Sequence, residues 1–112
     1  WARIRLRPRV FVDVSACALE TTILGHAVSM PLLTAPCALN ALAHPDGELA
    51  VARATAEAGI VQVLSTVSSY RMEEVAKVAE SQLWFQLYCY RDRSITRELL
   101  NGLKPLAFWR FV

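Results

Sequence analysis

The sequence has few of the residues that mark metal-binding, disulfide-rich or nucleotide-binding domains. Its three cysteines, Cys17, Cys37 and Cys89, are widely spaced, and no Cys-x-x-Cys pair or Cys/His cluster occurs. This pattern disfavours zinc sites and disulfide scaffolds, so we predict no metal site and reduced, mostly buried thiols in a cytoplasmic protein. Only 4 Gly are present, without a Gly-x-Gly-x-x-Gly or Walker pattern, which weakens a nucleotide-binding Rossmann interpretation.

Charged residues are also scarce and unevenly placed. They make up 20% of the chain, the net charge is +2, and residues 21–43 contain no Asp, Glu, Lys or Arg. Pro31, Pro36 and Asn40 interrupt that uncharged stretch, so we expect no membrane span. Four of the 12 basic residues alternate along the N-terminal arm: Arg3, Arg5, Arg7 and Arg9. We interpret the arm as an extended surface segment and expect no nucleic-acid partner.

Hydrophobic residues, in contrast, form 54% of the 112 residues, which excludes a disordered chain and allows one domain at most. So high an apolar fraction in so short a chain indicates part of a larger core. The chain opens on Trp1 without an apolar leader, so we expect a trimmed N-terminus and no signal peptide.

The predicted elements are a hairpin followed by three βα units. Val10–Val14 predicts a short strand or an extended segment, and the runs 21–24 and 27–30 flank a predicted turn at Gly25-His26. Short apolar strands then alternate with amphipathic helices: strands at 31–35, 60–64 and 83–89, and helices at 46–58, 72–80 and 95–103. This alternation is typical of a parallel sheet covered by helices, either a doubly wound sheet or a (β/α)₈ barrel. A barrel needs about 250 residues, so the chain would supply under half of one.

The pattern also predicts which side chains face inward. In the first helix Leu49, Ala52 and Ala56 are expected to face the sheet, with Glu48 outside. Among the strands, five apolar residues are expected to include those that line the barrel interior: Val61, Val63, Leu83, Phe85 and Leu87.

Small, polar or special residues follow each predicted strand. They are Ala35-Pro36-Cys37-Ala38 after the first, Ser65-Thr66 after the second and Gln86-Leu87-Tyr88 at the end of the third. In both α/β folds, functional residues lie beyond the carboxyl ends of the strands. The sequence therefore predicts a site at this edge of the sheet.

Several stretches, in order and at matching spacing, are similar to one family. They are Arg7-Pro8-Arg9-Val10, Thr22-Ile23-Leu24-Gly25, Ser29-Met30-Pro31, Ala35-Pro36, Ala43-His44-Pro45-Asp46-Gly47-Glu48, Glu73-Glu74-Val75-Ala76 and Phe85-Gln86-Leu87-Tyr88. From about Arg3 to Leu100 the chain resembles the FMN-dependent 2-hydroxy-acid oxidases and dehydrogenases, the glycolate oxidase and lactate dehydrogenase group. The resemblance implies an α/β fold, a partial (β/α)₈ TIM barrel with an N-terminal hairpin.

The resemblance also implies which residues meet the cofactor and substrate. The backbone of Pro36, Cys37 and Ala38 is expected to lie along the FMN ring, with Cys37 where the family has Thr. Ser65 and Gln86 correspond to flavin-contacting residues, and Tyr88 to the tyrosine that contacts the substrate carboxylate. Hydroxyl and amide groups suit the polar edge of the ring, and a phenol suits an anionic substrate.

The family's catalytic base, flavin-side lysine, substrate arginines and phosphate site belong to a later half that nothing in this chain matches. We expect neither His44 nor His26 to act as the base. The resemblance thus indicates one truncated domain, with an arm and hairpin at 1–30, (βα)₃ at 31–103 and a divergent tail at 104–112 that could form a substitute strand. Two hypotheses follow: an inactive piece of an enzyme that oxidises a small 2-hydroxy acid, such as lactate or glycolate, or a non-catalytic remnant. Either is expected to self-associate or to bind a complementing barrel half, the alternative being a monomer whose open face is capped by the tail.

Overall fold

The structure, a computed structural model, describes residues 4–79, 83–106 and 108–111. Its first two strands, β1 (Thr21–Ile23) and β2 (His26–Val28), form an antiparallel hairpin. A parallel sheet follows, with neighbouring strands in the order β3 (Leu33–Thr34), β4 (Val61–Leu64), β5 (Leu83–Phe85) and β6 (Phe108–Phe111). The helices α1 (Gly47–Ala58), α2 (Met72–Val78) and α3 (Arg93–Leu103) connect successive strands of that sheet.

The predicted α/β class, with a hairpin before alternating strands and helices, is confirmed. Strands that neighbour one another in chain order, with a helix after each of β3, β4 and β5, are consistent with part of a barrel. The tail adds a fourth parallel strand: β6 pairs with β5, and the register shifts between Leu83 and Trp84. Glu80, the predicted last residue of the second helix, lies outside the described residues, as do the first three residues of the arm.

The hairpin turn lies one residue earlier than predicted, at Leu24-Gly25. Thr21 pairs with Val28 and Ile23 with His26, so the two residues between the strands are Leu24 and Gly25. Both have positive φ, 49° and 87°. Positive φ at both turn positions is the type I′ pattern, whose twist matches that of the strands, and glycine readily takes the second position.

Val10–Val14, predicted as a short strand or an extended segment, does not form a strand. Residues 4–20 contain no helix or strand, and this apolar run is exposed throughout. A β-branched run favours an extended backbone, but a strand also needs a partner for its main-chain hydrogen bonds. The structure gives this segment no such ladder.

The two faces of the parallel sheet pack against different elements. Leu64, Leu83 and Phe85 face the helices and contact Val75 and Leu103. Val61, Val63 and Trp84 form a second cluster with Val28 of the hairpin, so the hairpin packs on the opposite face. Of the five residues expected to include those that line the barrel interior, Val61 and Val63 face that side, while Leu83 and Phe85 face the helices. Side chains alternate along β5, so Trp84 takes the interior side.

The three cysteines are free and exposed, so their predicted burial is wrong. Cys17 lies in the arm, while Cys37 and Cys89 lie in loops that follow β3 and β5. These segments are outside both apolar clusters, and nothing in them covers a thiol.

Glu48, predicted to point outward, is buried, with 1% of its surface exposed. Its Oε1 accepts the Asn40 N–H at 3.1 Å and the Ser69 N–H at 2.9 Å. The carboxylate therefore ties the segment after β3 to the segment after β4. Gly47 lets the start of α1 lie close to the main chain at Ala41. Its φ is +42°, and a Cβ there would lie 3.0 Å from the Ala41 nitrogen.

We predict that Glu48→Ala lowers the free energy of unfolding by about 2–4 kcal/mol, since two amide donors lose their acceptor. Glu48→Gln keeps an acceptor oxygen at the position of Oε1, which accepts both amides, and loses only the charge, so it should lose about half as much. Urea unfolding followed by circular dichroism measures both, with Glu57→Ala, an exposed acid on the same helix, as the control. A loss below about 0.5 kcal/mol for Glu48→Ala would contradict the assigned role.

Candidate functional site

The segments that follow β3, β4 and β5 meet at the carboxyl edge of the sheet. The Leu39 N–H donates to the Val67 carbonyl at 3.1 Å, and the Ala41 N–H donates to Ser69 Oγ at 3.1 Å. These bonds bring the loop that contains Pro36–Ala38 beside the loop that contains Ser65. The Gln86 N–H donates to the Leu64 carbonyl at 2.8 Å, which adds the end of β5 to the same edge.

Ser65 and Gln86 contact each other across the strand ends. Ser65 is buried and Gln86 half-buried. Ser65 Oγ donates to Gln86 Oε1 at 3.4 Å and accepts the Val67 N–H at 3.1 Å. The amide oxygen of Gln86 thus accepts a hydrogen bond from Ser65, and the amide NH₂ points away from that bond. A pair of this kind offers a fixed hydrogen-bond donor at the sheet edge.

Thr66, next to Ser65, joins the same two strand ends. Its hydroxyl donates to the Gln86 carbonyl and accepts the Tyr88 N–H at 3.1 Å. One side chain of the loop after β4 therefore holds the main chain on both sides of Leu87.

Tyr88 and the Pro36–Ala38 loop form the open part of this edge. Tyr88 is 49% exposed. Pro36 is half-buried, while Cys37 and Ala38 are exposed. The structure thus brings Ser65 and Gln86 into contact and places the exposed residues on adjoining segments. An exposed backbone at Cys37 and Ala38 can lie against a flat ligand.

The two histidines have other surroundings. His44 Nδ1 accepts the Asp46 N–H at 3.1 Å, so this nitrogen stabilises the turn before α1. His26 lies in β2, whose hairpin packs beside Val61 at the amino end of β4, away from the carboxyl edge.

The segment after Tyr88 leads into α3, whose N-cap is Asp92. The carboxylate accepts the Ser94 hydroxyl at 2.7 Å and the Ser94 N–H at 2.9 Å, and these bonds lower the pKa of Asp92. An N-cap of this kind fixes where α3 begins and thus the length of the loop from Tyr88.

A cavity of about 270 Å³ lies beside the strand ends on the helix side. Its lining includes Thr66, Tyr70, Met72, Phe85 and Leu99. It shares Thr66 with the bonds just described but is lined by none of the predicted flavin or substrate residues. Within the described ranges, no group of three or more His, Cys, Asp or Glu is placed to hold a metal ion. No helix there has the length and apolar character needed to cross a bilayer.

The sequence reasoning missed the burial of Glu48 and placed Thr66 at this edge without giving its hydroxyl a role. A glutamate in the first turn of a helix is ordinary at an exposed position, so nothing in the sequence marked Glu48 as buried. Thr66 carried a usable signal, because a hydroxyl residue directly after a buried parallel strand can bond the next strand's main chain.

Comparison with known proteins places these observations in one family. Residues 1–109 match the family model described as FMN-dependent dehydrogenase. The chain is 44% identical over 108 residues to glycolate oxidase 3 of Arabidopsis thaliana, covering 96% of this chain and 29% of that protein. It is 52% identical over 103 residues to an L-lactate oxidase of a Nostoc species, covering 88% of this chain and 28% of that protein.

Solved structures agree with the sequence match. A mandelate oxidase with (S)-4-hydroxymandelic acid superposes with a TM-score of 0.90 at 36% identity, covering 99% of this chain and 31% of that one. A mandelate oxidase variant with a monooxide FMN adduct gives 0.88 at 36% identity, covering 95% of this chain and 33% of that one. The chain thus spans about a third or less of the relatives it matches, and it belongs to the FMN-dependent dehydrogenase family, whose cofactor is FMN.

Proposed function

We propose that this chain forms the first strands of a (β/α)₈ barrel and one part of its flavin and substrate site, for the oxidation of a small 2-hydroxy acid to a 2-oxo acid. The observation that carries the proposal is the convergence of Ser65, Gln86 and Tyr88 on adjoining strand ends. Glycolate and L-lactate oxidases among the relatives support a small 2-hydroxy acid as the substrate class.

The residues present fit an FMN ring. The Gln86 amide, with its oxygen engaged by Ser65, can donate to a ring carbonyl. The exposed backbone of Cys37 and Ala38, held beside the Ser65 loop through the Leu39–Val67 bond, can lie along the ring. When bound, FMN supplies a two-electron acceptor for the hydroxy acid. The residues of this chain hold and orient that ring.

The phenol of Tyr88 is the proposed contact for the substrate carboxylate. A phenol O–H can donate a hydrogen bond to a carboxylate oxygen, and the half-exposed position of Tyr88 leaves it accessible at the carboxyl edge. Its main chain is fixed by Thr66, so the phenol projects from a defined point.

Proton removal from the hydroxy acid needs a base beside the substrate. His44 uses Nδ1 to hold the turn at Asp46, and His26 lies in the hairpin at the amino end of the sheet. We therefore propose that the 112 residues alone do not complete the reaction and that the base is supplied by another segment.

The first prediction from this proposal concerns FMN affinity. We expect the 112-residue chain to bind FMN with a Kd above about 1 µM, because the ring contacts lack a phosphate anchor among the residues matched to the family. Gln86→Leu should weaken binding about tenfold, the loss expected for one hydrogen bond. Flavin fluorescence quenching measures both, with the exposed Glu98→Gln as control. A Kd well below 1 µM, or an unchanged Kd for Gln86→Leu, would contradict these assignments.

A second prediction concerns turnover. With added FMN and either lactate or glycolate, the chain should give no 2-oxo acid above a protein-free blank, because loss of a general base alone lowers rates by about 10²–10⁴. Product is measured by formation of the 2-oxo acid hydrazone. Steady turnover that persists after gel filtration would show that these residues contain a base.

A non-catalytic role as a partner-binding piece is supported by a separate observation. The parallel sheet has β3 and β6 at its edges within the described part of the chain, and edge strands present unpaired main-chain groups. The arm adds exposed apolar side chains, Leu6 at 94% and Phe11 at 105%. We propose that these surfaces drive self-association or pairing with a complementing barrel segment.

Sedimentation velocity at micromolar concentration tests this association. We expect dimers or larger species whose proportion rises with concentration. Phe11→Ser, which removes an exposed apolar side chain without touching either apolar cluster, should raise the monomer fraction. A single monomeric species with cooperative unfolding would refute the association.

A further inference from the structure

β4 and β5 separate at the site, and a side chain continues their ladder there. The last main-chain bond runs from the Gln86 N–H to the Leu64 carbonyl. In a continuing parallel ladder, Thr66 would donate its own amide to the Gln86 carbonyl and accept the Tyr88 N–H at its own carbonyl. The Thr66 hydroxyl makes both of these bonds instead, the second at 3.1 Å.

The use of a hydroxyl in place of main-chain groups has two consequences. The chain after Leu64 can turn away toward α2, because Thr66 no longer has to keep its main chain in the sheet. The chain after Phe85 stays in place, because the Gln86 carbonyl and the Tyr88 amide keep hydrogen-bond partners. Ser65 then fixes the Gln86 side chain at its amide oxygen.

We propose that Thr66 is a positioning residue, which sets the Gln86 amide and the Tyr88 phenol relative to the flavin and the substrate without touching either. The inference rests on the proposed function for the identity of those ligands. Its structural basis is the hydroxyl itself: valine has the same shape but neither donor nor acceptor, whereas serine retains both.

The first arm of the test needs no flavin. Backbone amide hydrogen exchange and ¹⁵N–¹H spectra compare wild type with Thr66→Val, Thr66→Ser and Thr96→Val. Thr96 is a matched control, since its hydroxyl accepts the Tyr90 N–H at 3.2 Å in the same region. We expect Thr66→Val to speed exchange of the Tyr88 amide at least about tenfold and to shift the Gln86 side-chain amide resonances. Thr66→Ser should retain wild-type values, and Thr96→Val should leave both sites unchanged.

The second arm measures FMN affinity in the same four proteins. Thr66→Val should weaken binding about fivefold or more, with recovery in Thr66→Ser and no change in Thr96→Val. An unchanged exchange rate of the Tyr88 amide and unchanged Gln86 resonances in Thr66→Val would overturn the positioning role. If wild type binds FMN, an unchanged FMN affinity in Thr66→Val would overturn it as well. FMN binding by wild type that is too weak to measure agrees with the missing phosphate anchor, and the exchange arm alone then decides whether Thr66 positions Gln86 and Tyr88.

Discussion

The carboxyl edge of the sheet depends on how Glu48 is held. This carboxylate lies in the first turn of α1, between the loop after β3 and the loop after β4, and accepts one main-chain amide from each. The main-chain bond from the Leu39 N–H to the Val67 carbonyl joins these loops directly, and the Asn40 and Ser69 amides need another acceptor. The buried Glu48 side chain provides this acceptor. The close contact between the start of α1 and the Ala41 main chain requires a residue without Cβ at position 47, which is Gly47.

Both faces of the sheet are occupied by apolar packing, so the site lies at the strand ends. β4 is buried along its whole length because Leu64 packs against the helices while Val61 and Val63 pack against the hairpin. Burial on both faces leaves only the strand ends for polar chemistry, which is why Ser65 and Gln86 follow directly after the last apolar residues. The Ser65–Gln86 and Thr66–Tyr88 contacts are consequences of that geometry.

Much of this could be predicted from the sequence because it depends on local periodicity. The helices around Ala52, Val75 and Leu99 and the strand around Val63 were predicted within a few residues, since apolar spacing and flanking breakers determine them. Register and facing were harder to predict. The sequence did not separate Leu83 and Phe85, which face the helices, from the residues that line the interior, because a continuous apolar run carries no alternation. Glu48 was missed because its partners are distant in sequence.

The sequence predicted which residues lie at the strand ends, and the structure gave the hydrogen bonds among them. The side-chain groups proposed to face the flavin and substrate, the Gln86 amide and the Tyr88 phenol, are neutral hydrogen-bonding groups. Neutral dipoles fixed by their own partners can orient a ring and an anion without a large cost of desolvation. Removing a proton from a hydroxy acid requires a group that changes its charge during the reaction. The carboxyl edge formed by these residues is therefore suited to orientation, and in the reaction proposed above the proton acceptor comes from elsewhere.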